Sequence, residues 1–89
     1  MNECFFIGNV IEIGKFKFIV NSKIKYKSKI TMKIKLLDGN IINGIAYNEV
    51  ADYILRNNFL KSTVFIQGIL RNKTKELQIN IYNITKVKF

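Results

Sequence analysis

Between Lys23 and Leu36 the odd positions are Lys23, Lys25, Lys27, Lys29, Thr31, Lys33 and Lys35, and the even ones are Ile24, Tyr26, Ser28, Ile30, Met32, Ile34 and Leu36. Side chains on a β-strand alternate between its two faces. A strand over this stretch therefore turns an apolar row inward and aligns six ammonium groups on the other side, about 6.6 Å apart except across Thr31. A helix would scatter the same lysines around its circumference. The chemistry of such a row is neutralisation of a polyanion. The competing reading, lysines that guard a sheet edge against aggregation, needs one or two charges and not six.

The whole chain shares the bias: 15 Lys and Arg against 6 Asp and Glu give a formal charge of +9 over 89 residues. Codon bias toward Ile, Lys and Asn, 40 of the 89 residues together, is the undirected explanation. It would raise Glu as well, and only four Glu are present. The same composition speaks against most enzymes. There is no His to serve as general base, the six acids are scattered, and no Gly-rich phosphate loop occurs. The single Cys4 cannot close an internal disulfide or build a four-ligand zinc site, so no metal or cofactor is expected and a reducing, cytoplasmic setting is. No apolar run approaches the ~18 residues of a membrane helix.

The elements that must position the lysines can be read along the chain, which is short enough for one domain over residues 1–89. Asn2 to Ile13 is a strand interrupted by Gly8, a mark of a bulge or a barrel corner. Lys15 to Val20 is a second short extended piece. The lysine strand follows, then an Asp38-Gly39 hairpin turn and a return strand from Ile41 to Tyr47. At Asn48 the period changes. Asn48 reads as an N-cap, Glu49 and Asp52 lie in a first turn, and Val50, Ala51, Ile54 and Leu55 form one apolar stripe on a helix of about nine residues. Thr63 to Arg71 is again a strand, Asn72 to Lys75 turns it, and Leu77, Ile79 and Ile81 alternate with Gln78, Asn80 and Tyr82 in the last. An all-β chain with one short helix between the third and fourth of five barrel strands has the topology of the OB-fold barrel.

Three stretches carry a likeness as well. They are Asn-Glu-Cys-Phe-Phe-Ile-Gly-Asn-Val at the start, Ile41 to Leu55 with Ile45-Ala46-Tyr47 and Val50-Ala51-Asp52, and Val64-Phe65-Ile66-Gln67-Gly68-Ile69-Leu70. In this order they resemble bacterial single-stranded DNA-binding proteins. The chain departs from that pattern in having no Trp, with Ile41 where the family has a stacking Trp, and in its short hairpin. It also ends at Phe89 without an acidic tail, which makes it more similar to primosomal replication protein N, a dimer of tail-less OB domains, or to a plasmid, phage or mobile-element variant. The resemblance implies sequence-tolerant binding of single-stranded DNA, with limited aromatic stacking, in replication, recombination or mobile-element transfer.

On this reading Lys25, Lys27, Lys29, Lys33 and Lys35 line the ligand, and Asn43 hydrogen-bonds a base or phosphate. Tyr47 either stacks on a base or packs over the start of the helix. Arg71, Lys73 and Lys75 either clamp phosphates beside the hairpin or form a plain basic turn. Phe5 and Ile7 lie opposite Cys4 and Phe6 on the first strand, so one of the two pairs faces outward as exposed apolar residues that invite a partner, and Phe5 and Ile7 are the expected interface. The resemblance implies that this strand meets its symmetry mate, in a homodimer or homotetramer. Two other ligands suit the same features: RNA, or an acidic protein docked on the lysine face without any need for stacking.

Overall fold

The computed structural model describes residues 3–18, 28–73 and 76–88. Its strands are β1 (Glu3–Ile13), β2 (Lys17–Phe18), β3 (Ser28–Leu36), β4 (Ile41–Tyr47), β5 (Thr63–Lys73) and β6 (Glu76–Lys86), with helix α1 (Asn48–Arg56) after β4. Their order in the sheet is β1-β5-β6-β4-β3-β2, and β1 pairs back onto β3, so five strands close a barrel and β2 lies outside the ring. All pairs are antiparallel except β4 with β6. Among the barrel strands alone, the helix lies between the third and the fourth.

Closure depends on β1 serving two partners. Residues Glu3 to Asn9 pair with β5, Gly8 to Ile13 pair with β3, and Gly8 and Asn9 belong to both ladders. A Cβ at Gly8 would sit 2.6 Å from the Lys35 carbonyl oxygen and 2.8 Å from Ile34 Cγ2. Any side chain there would push β1 off β3, so glycine is required where the strand changes partners. The bulge itself is not at Gly8. It lies between Val10 and Glu12, where the register slips by one and Ile11 turns outward.

The alternation read from the sequence fills the barrel. Ile30, Met32 and Ile34 from β3, Ile42 and Ala46 from β4, Val64 and Ile66 from β5, Ile79, Ile81 and Ile84 from β6 and Val10 from β1 are all buried in one cluster. Each fully buried aliphatic side chain of this size contributes about 1.5–3 kcal/mol. Helix α1 covers one end, burying Ala51 and Ile54 against β3, β4 and β6. Phe59, 1% exposed, completes the plug, with the Tyr53 ring 5.6 Å away and the Lys86 ammonium 5.3 Å from its centroid.

The lysine strand is described from Ser28, and Lys23 to Lys27 lie outside the described residues. Three local expectations change. Asn48 is not the cap: Tyr47 holds that place in extended conformation without a side-chain cap bond, and Asn48 opens the helix at φ 53. Asparagine tolerates that left-handed conformation better than most residues, and its carbonyl accepts a hydrogen bond from the buried Ser28 hydroxyl at 3.4 Å. The hairpin is not a two-residue Asp-Gly turn, because Gly39 N–H closes onto the Leu36 carbonyl and Leu36 N–H onto that of Asn40. Leu37 and Asp38 are thus the central residues, and Gly39 follows them at φ +91. The last strand runs on to Lys86, because a register slip opposite Gln67 and Gly68 lets Ile84 face inward again.

Candidate nucleic-acid interface

Strand β3 turns Lys29, Thr31, Lys33 and Lys35 outward, opposite the buried Ser28, Ile30, Met32 and Ile34. The antiparallel register sets Lys29 beside Tyr47, Thr31 beside Ile45, Lys33 beside Asn43 and Lys35 beside Ile41. Of the sequence candidates, Lys29, Lys33, Lys35, Asn43 and Tyr47 therefore share one outward face of two adjacent strands. Directly paired residues project from the same side of a sheet. The rows can accordingly be followed further around the barrel.

In one row Lys33 pairs with Asn43, Asn43 with Gln78 of β6, and Gln78 with Arg71 of β5. The adjacent row is Thr31, Ile45, Asn80 and Ile69. A third joins Lys17 of β2 to Lys29 and Tyr47. The face thus gathers Lys17, Lys29, Lys33, Lys35 and Arg71 around a middle of carboxamides, aliphatic groups and one phenol. Ile45 is buried on this face, outside the core cluster, whereas Ile41 stands exposed.

Two charge pairings shape its electrostatics. Lys17 and Lys29 are directly opposite across β2 and β3, and like charges at that spacing repel. Lys33 has the only acidic neighbour that any of these five cations meets within ion-pair distance among the described residues. Its Nζ lies 3.7 Å from Glu12 Oε2, with 53% and 63% of the two side chains exposed. An exposed pair of this kind is worth about 0–1 kcal/mol, too little to hold Lys33 against a competing anion.

Lys73 ends β5, paired in register with Glu76. Lys25, Lys27 and Lys75 fall outside the described residues. Phe5 and Ile7 are on another wall, 58% and 41% exposed, and the Phe65 ring stacks on Phe5 with centroids 6.0 Å apart. With Phe6, Leu36, Leu37 and Asp38 these residues line an apolar groove of about 470 Å³. Beside it, Tyr82 donates a hydrogen bond to Glu3, and Asn83 donates to Gln67 at 2.6 Å. Among the described residues no group of His, Cys, Asp and Glu could hold a metal ion, and no helix is long and apolar enough to cross a membrane.

Sequence reasoning missed Lys17, Gln78 and Asn80. The period-two pattern after Leu77 already put Gln78 and Asn80 on the outward side. What was missing is the neighbour, because nothing local tells β6 to lie parallel to β4.

A closed five-strand barrel, with a short helix ahead of its last two strands and a basic outer face, is an OB-fold. Comparison with solved structures agrees. The SSB domain of a Synechococcus protein superposes with a TM-score of 0.80 at 15% identity, covering 94% of this chain and 93% of that one. The small single-stranded DNA-binding protein of Streptomyces coelicolor gives 0.80 at 17% identity, covering 98% and 95%. PriB of Ralstonia solanacearum gives 0.75 at 11% identity, covering 97% of each chain. The chain therefore has the fold of these proteins over nearly its whole length. No protein-family model matches the sequence, and no curated protein does.

Proposed function

We propose that this protein binds single-stranded DNA along the outward face of β3 and β4, through charge more than through stacking. The observation that carries the reading is the in-register gathering of Lys17, Lys29, Lys33, Lys35 and Arg71 on one face, with Lys17 and Lys29 directly opposed. That opposition costs stability in the free protein and is relieved when a phosphate lies between the two ammonium groups. Binding releases the counterions condensed on the strand, so affinity falls as salt rises. Tyr47, beside Lys29, is the one aromatic ring on these paired rows and serves as the stacking platform. A face with few rings agrees with a ligand held by its backbone. The names of two similar structures, an SSB domain and a small single-stranded DNA-binding protein, support the same ligand. Lys25, Lys27, Lys73 and Lys75 are proposed to extend the basic track, in replication, recombination or element transfer.

The wall of β1 is proposed as the contact between copies, in a homodimer or homotetramer. Residues Glu3 to Ile7 pair only with β5, so one edge of that half-strand has no strand partner among the described residues. Phe5 and Ile7 stand exposed beside it. Titration of a fluorescently labelled oligonucleotide at several salt concentrations tests the function. The expected result is salt-sensitive binding that favours single strands. Affinity that ignores salt, or that favours duplex, overturns the proposal. A matched RNA oligonucleotide that binds more tightly would transfer the face to RNA.

A further inference from the structure

The middle of the basic face is unusual in what it lacks and in what it has instead. Where a single-strand groove relies on several rings, the row between Lys33 and Arg71 consists of Asn43 and Gln78, and Asn80 follows one row on, two residues along β6. Four side chains on four successive strands span about 14 Å at the usual inter-strand spacing. Cations stand at both ends and carboxamides in between.

That order separates two tasks. Cations contact phosphates and fix the position of a strand, while groups that offer a donor and an acceptor together can read a base edge. A carboxamide is such a group: its oxygen accepts and its NH₂ donates. Adenine is the base against which Asn and Gln close two hydrogen bonds, to the 6-amino group and the neighbouring ring nitrogen. Gln78 and Asn80 are both partly exposed, which leaves edges for a ligand. An aliphatic or aromatic residue at Gln78 would have served backbone binding equally well, so the amides are surplus to that task.

We infer that Gln78 reads a base by paired hydrogen bonds, and that the protein prefers adenine-containing single strands. The inference rests on the single-strand reading above and goes beyond it, because it replaces tolerance of sequence by a preference. A phosphate held by Lys33 or Arg71 leaves the attached base over the amides, and because the rows through Gln78 and Asn80 carry no ring among the described residues, hydrogen bonding is the dominant base contact there.

The experiment compares an oligo(dA) with an oligomer of the same length built from unsubstituted purine nucleotides, which lack the 6-amino group and keep the two-ring stacking surface. Both are titrated by fluorescence anisotropy at one salt concentration. The native protein should bind oligo(dA) about 10-fold more tightly, within the range of one bidentate pair. Gln78→Met keeps the length of the side chain and removes both polar groups, and it should bring the ratio close to one. Arg71→Ala should weaken both ligands alike and leave the ratio unchanged. A native ratio within twofold, or a ratio untouched by Gln78→Met in a protein that still melts cooperatively, overturns the inference alone. Failure to bind either oligomer overturns it together with the single-strand reading.

Discussion

Replacing Lys33 and Lys35 by Ala isolates the charge term of the proposed interface. Both lysines point away from the core on β3, next to the aligned Asn43 and Ile41. For single strands each phosphate bound by a cation contributes about 0.7 to the slope of log affinity against log salt. The five cations of the described face, Lys17, Lys29, Lys33, Lys35 and Arg71, account for about −3.5 of the native slope, and removing two cuts that share to about −2.1. At 0.1 M salt each cation removed weakens binding about 5-fold, so the double variant should bind about 25-fold more weakly. The fold should survive. Among the described residues the double substitution breaks one ion pair, the 3.7 Å pairing of Lys33 with Glu12, worth at most about 1 kcal/mol. Its removal lowers the midpoint of thermal unfolding by no more than about 8 °C. Anisotropy titrations at four or more salt concentrations, with a thermal melt of each protein, give both quantities. A folded double variant with native affinity and native slope would refute the assignment of these lysines to the ligand. A lower affinity with an unchanged slope would refute the counterion mechanism and leave the location intact.

Other changes probe different parts of the molecule. Glu12→Gln removes the acid that competes with phosphate for Lys33, so single-strand affinity should rise about 2- to 5-fold at 0.1 M salt, in keeping with an exposed pair worth up to about 1 kcal/mol; equal or weaker binding in the same titration would count against the site. Tyr47→Ala should weaken binding by about 5-fold or more and Tyr47→Phe should not, since a stacked base is worth about 1–3 kcal/mol; if the two variants behave alike, the ring is not a platform. Phe5→Glu with Ile7→Lys should convert the protein to monomers in sedimentation velocity, and an unchanged sedimentation coefficient removes β1 as the contact between copies. Phe59→Ala empties the plug under α1 and should cost about 3–5 kcal/mol in a urea denaturation; a cost below about 1 kcal/mol would mean that this ring does not fill the end of the barrel.

The barrel was legible in the sequence because its strands are amphipathic and its breaks are sharp. Ile30, Met32 and Ile34 announced the inward face of β3, Gly8 announced the change of partner in β1, and the shift in period at Asn48 announced the helix. Long-range pairing was not legible, and with it half of the candidate face. Lys33 and Asn43 are close in sequence across a hairpin, but Gln78 meets Asn43 only because β6 docks parallel to β4. Lys17 was overlooked for the same reason, since a two-residue strand carries no period. The misreading of Asn48 as a cap has a local cause. Asparagine favours both the cap position and the left-handed backbone conformation, and residue type alone does not choose between them.

On the proposed function, the docking of β6 also sets when the molecule becomes able to bind its ligand. The lysines of β3 are joined to Arg71 only through Gln78, on a strand that emerges from the ribosome after all the others. Contacts between segments so far apart in sequence form late, because loop closure opposes them until the rest of the framework exists. A nascent chain that has made β1 to β5 carries its cations but has no continuous track on which to align them. Occupancy of the track in turn favours the closed barrel over any form with β6 detached, by mass action. Nucleic acid is thereby expected to act on this small barrel as a clasp, fastening β6 to the strands made before it.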